Sequence, residues 1–264
     1  MPRSIWSGAI SFGLVNVPIK LFSAVSPKDV RFHQLDAKTK SRVKQKRVSA
    51  ATGEEVPYEE IVKGYELGPD TYVTISPEEL DSLDPKATKS IDIEDFVDLD
   101  QIDPIFYERP YYLVPDKGGT KAYALLREAM RETNKVGIAR LVLRTKQYLA
   151  AIRPMGDALV LETMLFADEV VPTDELDLPG KDVEVTEREE KMARQLIDSL
   201  TTDFDPEKYK DEYRERVLEL IEQKAAGQEI VVEDTAEEAP KVVDLMAALE
   251  ASLAAVKKSK DDGG

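Results

Sequence analysis

The chain alternates apolar and polar side chains through Ile10-Ser-Phe-Gly-Leu-Val-Asn-Val-Pro-Ile-Lys-Leu-Phe-Ser-Ala-Val25. A β-strand presents every second side chain to the same face, and the apolar positions keep that period on either side of Leu14. The period slips by one residue at Leu14-Val15, which predicts a β-bulge or bend. Pro18 favours an edge or bulge position because it cannot donate to a sheet ladder. The stretch therefore predicts two β-segments that each bury one face.

Similar short runs recur along the first two thirds of the chain. They cover Val30 to Leu35, Lys40 to Val48, Glu54 to Val62, Tyr72 to Ile75, Ile91 to Val97, Tyr111 to Val114, Val136 to Arg144 and Ala158 to Phe166. Many short strands at regular spacing predict a barrel or closed sheet. One amphipathic helix interrupts them, with its apolar face at Ala122, Leu125, Leu126, Ala129 and Met130. The fold class that follows is mixed β and α.

Helices dominate after about residue 180. Thr186 and Glu189 have the spacing of a capping box at the start of an amphipathic helix. Asp205 as N-cap and Pro206 in the first turn predict a second helix, which ends near Gly227. We therefore expect residues 1–180 to form the barrel core and residues 181–227 a helical arm. Residues 228–264 are expected to form an acidic linker, a short helix and a disordered tail.

The composition excludes much enzyme chemistry. The chain has no cysteine and a single histidine, His33, so thiolate nucleophiles and zinc sites built from sulfur or several histidines are excluded. We expect no metal and no cofactor. No apolar run approaches the roughly 20 residues that a membrane span needs, and the N-terminus lacks the apolar region of a secretory signal. These observations predict a cytoplasmic protein that does not contact a membrane.

Charge is distributed very unevenly along the chain. The formal net charge is −16, which by itself argues against binding nucleic acid. However, residues 1–53 carry +8 and residues 109–153 carry +7, whereas residues 54–108 and 154–264 carry −14 and −17. Two basic blocks thus alternate with two acidic ones, and this asymmetry indicates a localised site for a polyanion.

The first basic block contains Lys38-Thr-Lys-Ser-Arg-Val-Lys-Gln-Lys-Arg47. In a strand, its alternate cations would project from one face about 6.7 Å apart, a spacing compatible with a DNA phosphate backbone. A solvated surface strand is the alternative interpretation. Five like charges on one strand face repel one another unless a polyanion neutralises them, which favours the binding interpretation.

The second basic block repeats the pattern, with Arg140, Arg144 and Lys146 expected on one face and Ala139, Leu141 and Leu143 on the buried face. No aromatic residues lie among these cations and no recognition helix is present, which favours sequence-independent contact with a duplex backbone. The predicted DNA-binding residues are Arg31, Lys38, Lys40, Arg42, Lys44, Lys46, Arg47, Lys117, Lys121, Arg140, Arg144, Lys146 and Arg153.

Clustered carboxylates between Asp92 and Asp103 suggest a second hypothesis. Such a cluster could bind Mg²⁺ in a metal-dependent nuclease or hydrolase. The alternative is a packing strand with an acidic exposed edge, since apolar residues are interspersed with the acids and no general-base histidine accompanies them.

Several longer motifs resemble those of prokaryotic Ku proteins. They are Arg3-Ser-Ile-Trp-Ser-Gly-Ala-Ile-Ser-Phe-Gly-Leu-Val-Asn-Val-Pro18, Glu60-Ile-Val-Lys-Gly-Tyr65, Ile91-Asp-Ile-Glu-Asp-Phe96, Pro110-Tyr-Tyr-Leu-Val-Pro115, Tyr209-Lys-Asp-Glu-Tyr-Arg214 and Val243-Asp-Leu-Met-Ala-Ala-Leu249. They occur in the same order from residue 3 to about residue 256. Many relatives carry cysteines in the region matching residues 40–53, whereas this chain does not, so a metal-stapled hairpin is not expected here.

The resemblance implies a Ku-like β-barrel core for DNA binding and dimerisation, followed by a helical C-terminal arm and a short tail helix. It implies a non-catalytic homodimer whose ring encircles a double-stranded DNA end without sequence preference. It also implies recruitment of DNA ligase D in non-homologous end joining, the repair of double-strand breaks in damaged DNA, and association with the nucleoid. The suggested ligase-contacting residues are Tyr209, Tyr213, Arg214 and Arg216.

Overall fold

The computed structural model describes residues 3–83, 89–143, 146–180, 183–227 and 245–261. The chain divides into two compact units. The first unit comprises Met1–Lys28 and His33–Pro172, and the second comprises Asp29–Phe32 and Thr173–Gly264. No helix in the described ranges combines the length and the apolar character needed to cross a bilayer.

The first unit contains a closed barrel of seven strands, which confirms the predicted fold class. The strands are β1 (Trp6–Phe12), β2 (Val15–Ser23), β5 (Ser90–Asp98), β6 (Tyr107–Pro115), β7 (Lys135–Leu143), β8 (Lys146–Met155) and β9 (Ala158–Met164). Their order around the barrel is β1-β2-β6-β9-β8-β7-β5. Neighbouring strands are antiparallel except at the closure, where β1 and β5 are parallel with Ala9 opposite Ser90.

The remaining elements of this unit lie outside the barrel sheet. A separate two-stranded hairpin consists of β3 (Lys63–Gly68) and β4 (Thr71–Ile75). Helix α1 (Pro77–Leu83) follows and begins with a reciprocal pair of hydrogen bonds between Ser76 and Glu79. Helix α2 (Thr120–Thr133) follows β6 and precedes β7 along the chain. It ends at Asn134, whose left-handed φ of 52° stops the helix.

The period slip at Leu14-Val15 is a hairpin turn rather than a bulge. Phe12 and Val15 close the β1–β2 ladder, and Gly13 between them has a φ of +58°. Glycine adopts this left-handed conformation without a steric penalty, so the chain reverses in two residues. The reversal itself shifts the alternation by one position, which is the pattern seen in the sequence.

The core forms where the inner faces of the barrel strands meet one face of α2. Fully buried side chains come from every barrel strand, among them Ile10, Ile19, Leu113 and Leu161. Helix α2 contributes Tyr123, Leu126 and Met130, one per turn, to the same cluster. The predicted apolar face of α2 is therefore only half buried, since Leu125 is 69% exposed.

Tyr123 links α2 to two barrel strands. Its buried hydroxyl donates to the Leu113 carbonyl of β6 at 2.7 Å and accepts from the Leu159 amide of β9 at 2.6 Å. Burial raises the pKa of Tyr123, so the hydroxyl keeps its proton and can serve both roles at once.

Tyr123→Phe is expected to lower the free energy of unfolding by about 2 kcal/mol, because the Leu159 amide would remain buried without a partner. The melting temperature should fall by about 5 °C, measured by circular dichroism. Tyr148→Phe is the control, since the hydroxyl of Tyr148 has no hydrogen bond in the described part of the chain. Equal losses in the two variants would contradict the role given to the Tyr123 hydroxyl.

The second unit contains helices α3 (Glu187–Leu200), α4 (Glu212–Ala225) and α5 (Leu245–Asp261). The predicted capping box is present, with Thr186 Oγ1 accepting from the Glu189 amide at 3.3 Å. Helix α4 starts later than predicted, because Asp205 and Pro206 begin only the short 3-10 turn Pro206–Lys208 and Asp211 caps the helix. Residues 228–244, the first part of the predicted acidic linker, short helix and tail, lie outside the described residues.

None of the described residues in the second unit is buried. Helix α5 packs against α3, and Arg188 pairs with Glu250 at 3.1 Å, yet both helices remain largely accessible to solvent. Large apolar side chains are exposed, including Leu200, Phe204 and Tyr213, the last at 75%. This unit therefore lacks a hydrophobic core of its own within the described ranges.

Candidate nucleic-acid interface

The cationic segment, residues 38–47, does not form the predicted β-strand. The only ladder contacts here are two isolated bridges: Arg42, inside the segment, lies opposite Leu35, and Val48, just after it, lies opposite Glu55. Lys40 has a left-handed φ of 56°, which no strand residue adopts. The predictions of strands over 30–35, 40–48 and 54–62 are therefore wrong, and so is the expectation that every second cation projects from one strand face.

Local turn chemistry explains this departure. Asp36 Oδ1 accepts from the amide of Lys38 at 2.8 Å, and Asp36 Oδ2 accepts from the Thr39 hydroxyl at 2.9 Å. These hydrogen bonds favour the charged carboxylate and lower the pKa of Asp36, the bond from the Lys38 amide having the largest effect. In a second turn, the amide of Gly53 donates to the Ser49 carbonyl at 2.8 Å, and the Ser49 hydroxyl accepts from the Ala51 amide at 3.3 Å. Asp and Ser side chains thus compete successfully with strand pairing.

The cationic segment is nevertheless fully exposed and mostly unpaired. Lys46 forms an ion pair with Glu55, and the Arg47 guanidinium lies 5.3 Å from the centre of the Tyr58 ring. The other four cations have no carboxylate within 4.0 Å in the described part of the chain: Lys38, Lys40, Arg42 and Lys44. Four like charges within seven residues concentrate positive charge on the surface, which is the feature that attracts phosphate groups.

The cations of β7 are paired instead. Strand β5 lies beside β7, with Asp92 opposite Arg140 and Asp98 opposite Lys135. The Arg140 Nε atom is 3.5 Å from Glu94, and the Lys135 ammonium is 2.6 Å from Asp98. As predicted, Arg140 is exposed while its neighbours Ala139 and Leu141 are buried. Arg144 lies outside the described residues.

Lys146 does not share a face with Arg140. It is the first residue of β8, which is antiparallel to β7, and it lies opposite Leu143 in the ladder. Residues directly opposed in an antiparallel pair project to the same face, so Lys146 is on the Leu143 side of the sheet. The expectation that Lys146 continues the row of Arg140 is therefore wrong, because Lys146 lies on the antiparallel strand β8 and not on β7.

Arg153 is the most enclosed of the predicted binding residues. Its guanidinium donates to Glu162 on β9 at 2.7 Å, and the two side chains are 27% and 13% exposed. Removing either partner would leave a charge without compensation in a partly dry environment. Arg153 therefore has a structural role in the sheet.

Two further free cations lie at the start of α2. Lys117 and Lys121 are exposed and have no carboxylate within 4.0 Å in the described ranges. Nearby, Lys20 donates to Asp116 at 2.8 Å, and this hydrogen bond is the main reason that the pKa of Asp116 is lowered. The carboxylate of Asp116 is thus committed to Lys20 and to the Lys117 amide.

A general rule separates the two kinds of cation. Every Lys and Arg on the barrel strands has a carboxylate within 4.0 Å, namely Lys20, Arg109, Lys135, Arg140, Lys146 and Arg153. In the described ranges, the free cations of the first unit lie outside the barrel strands: in loops, at the first turn of α2 and, for Lys63, at the start of β3. Sequence analysis missed the pairing because most of the acidic partners are distant along the chain.

The acidic stretch 92–103 covers most of strand β5 and the turns that follow it, and several of its carboxylates are bonded to other groups. Glu94 and Asp98 are partners of β7 cations, and the Asp103 side chain caps a 3-10 turn by accepting from the Ile105 amide at 2.9 Å. The ranges that the structure describes contain no group of three or more His, Asp or Glu side chains suited to holding a metal ion.

The remaining candidates belong to the second unit. Arg31 lies in the short segment Asp29–Phe32 and is exposed. Of the four suggested ligase-contacting residues, Tyr213, Arg214 and Arg216 lie on α4. Tyr209 precedes the helix and stacks on Phe204, with ring centres 6.0 Å apart.

Comparisons with known proteins identify the family. The family described as the Ku70/Ku80 beta-barrel domain matches residues 11–192. The non-homologous end joining protein Ku of Anaeromyxobacter sp. (strain K) is 51% identical over 99% of this chain and 88% of its own length. Those of Heliobacterium modesticaldum and Archaeoglobus fulgidus are 49% and 42% identical, each over 97% of this chain, and cover 92% and 100% of the relatives.

The chain therefore belongs to the Ku family, as the sequence motifs predicted. Among solved structures, the SPOC domain of human PHD-finger protein 3 matches 61% of this chain and 95% of its own at 13% identity. Its TM-score of 0.29 supports no argument.

Proposed function

We propose that this protein binds double-stranded DNA ends without sequence preference, as a non-catalytic homodimer, in non-homologous end joining. The observation that carries the proposal is the cluster of four free cations in the cationic segment, in a chain that belongs to the Ku family. Free cations release counterions from DNA when they contact phosphates. A cation that is already paired with a carboxylate must first break that ion pair. The protein would act on chromosomal DNA in the nucleoid.

Two features support a homodimer. The β3–β4 hairpin forms a separate two-stranded sheet, which is marginally stable on its own in water. Tyr65, Leu67 and Tyr72 on it are each more than half exposed. The second unit lacks buried residues in its described ranges as well. A second copy that packs on these apolar surfaces would bury them and close a ring around the duplex.

Recruitment of DNA ligase D is assigned to α4 and the residues before it. Tyr213 is exposed on the same helix as Arg214 and Arg216, and exposed tyrosine with arginine is a composition enriched at protein interfaces. These residues pack on no buried core, so they are available to a partner.

A topological competition experiment tests end binding. Labelled linear duplex is competed with the same plasmid in its covalently closed form and after a single cut. A ring that loads at ends cannot load onto the closed plasmid. The closed plasmid should therefore compete at least about tenfold more weakly than the cut plasmid, through non-specific binding alone. Mass measurement of the complex with a short duplex should give two chains per duplex. Equal competition by both plasmid forms would refute loading at ends.

A further inference from the structure

Glu94 occupies the extra position of a β-bulge. On β5, Ile93 lies opposite Ala139 and Asp95 lies opposite Ile138, so Glu94 has no partner residue on β7. A bulge redirects a side chain that a regular strand would point elsewhere. Here the redirected carboxylate is 3.5 Å from the Arg140 guanidinium, on the strand at the centre of the second basic block.

This pair is too exposed to contribute much to stability. The side chains of Glu94 and Arg140 are 44% and 54% exposed, and ion pairs in such positions contribute about 0–1 kcal/mol. Asp92 lies directly opposite Arg140 in the ladder and adds a second negative charge nearby. Arg140 is therefore presented to solvent together with its own anionic partners.

The guanidinium of arginine binds carboxylates and phosphates with the same planar arrangement of donors. A carboxylate on Arg140 thus occupies the position that a DNA phosphate would take. Lys135 and Lys146 are likewise paired with the carboxylates of Asp98 and Glu169. The four free cations of the cationic segment have no carboxylate partner in the described ranges: Lys38, Lys40, Arg42 and Lys44.

We infer that Glu94 is a specificity-determining residue that neutralises Arg140 and so keeps duplex DNA from binding along the barrel strand β7. Non-specific contact with the DNA backbone is thereby directed to the free cations outside the barrel strands, chiefly those of the cationic segment. The inference rests on the proposed function, because it assumes that the protein binds duplex DNA.

The test measures binding to covalently closed duplex as a function of salt concentration for three variants. Glu94→Gln should raise affinity about three- to tenfold at low salt and steepen the slope of log K against log salt by about 0.9, the value for one additional phosphate contact. Arg140→Gln alone should change affinity less than twofold, because Arg140 is already neutralised. The double variant should lose the gain of Glu94→Gln.

Glu219→Gln is the matched control. Glu219 lies on α4, is exposed and accepts a hydrogen bond from Gln223 rather than from a cation. Glu219→Gln therefore changes the net charge as Glu94→Gln does, without releasing a paired cation. An equal gain in Glu219→Gln, a gain that survives in the double variant, or no gain in Glu94→Gln would each overturn the inference. Failure of the unmodified protein to bind linear duplex would instead overturn the proposed function.

Discussion

Replacing Lys38, Lys40, Arg42 and Lys44 together with glutamine is expected to lower affinity for a linear duplex about 100-fold or more at 0.1 M salt. These four side chains are exposed and have no carboxylate partners in the described ranges, so each can contact a phosphate. Each contact contributes about 0.9 to the slope of log K against log salt, and loss of four should reduce that slope by about 3.6. Fluorescence anisotropy over a salt series measures both quantities.

An equal loss of charge in the second unit provides the control for this result. Lys191, Lys208, Lys210 and Lys224 are exposed, and their replacement with glutamine changes the net charge identically. The slope should stay close to that of the unmodified protein. If both quadruple variants lost affinity equally, the effect would come from net charge and not from the cationic segment.

Leu126→Asp is expected to prevent stable folding, whereas Leu125→Asp should be tolerated. Leu126 is 4% exposed within the main core, while its neighbour Leu125 is 69% exposed. Removing a buried leucine costs about 2–5 kcal/mol, and enclosing a carboxyl group there adds several more. The sum approaches the roughly 5–15 kcal/mol that stabilises a typical domain.

The measurement is the urea midpoint and the melting temperature of the two variants. Leu125→Asp introduces the same residue into the same helix, so helix propensity and net charge are matched. Its free energy of unfolding should stay within about 0.5 kcal/mol of the unmodified protein. A Leu126→Asp variant that melts at the normal temperature would show that α2 is not part of the core.

Much of the barrel could be predicted from the alternation of side chains. The strands β5, β6, β7 and β9 bury one face, and their period appears in the sequence within a few residues of the observed bounds. Strand β8 was missed because it has no alternation: Ala150, Ala151 and Ile152 are all fully buried. Ala150 and Ile152 pack in the main core, whereas Ala151 packs in a second buried cluster with Val136 and Met164.

The candidate site was predicted in composition but not in geometry. Alternating lysines suggested a strand, yet Asp36 and Ser49 place turns on both sides of the cationic segment. The strand period carried no information about hydrogen bonds that these side chains make to the backbone. Likewise, the neutralisation of Arg140 by Glu94 depends on which strand lies next to β7, and barrel order cannot be obtained from one sequence.

The segment that contains the free cations connects two strands that both pair with β1, namely β2 and, in parallel, β5. Strands β2 and β5 are the two neighbours of β1, so the chain leaves the barrel after Ser23 and re-enters at Ser90 on either side of a single strand. Ala24 and Lys89, at the two ends of this stretch, still bond to Pro110 and Ala9 of the barrel, but the cationic segment makes no hydrogen bond to a barrel strand in the described ranges. The charge of the cationic segment can therefore be changed while the hydrogen bonds between the barrel strands stay intact.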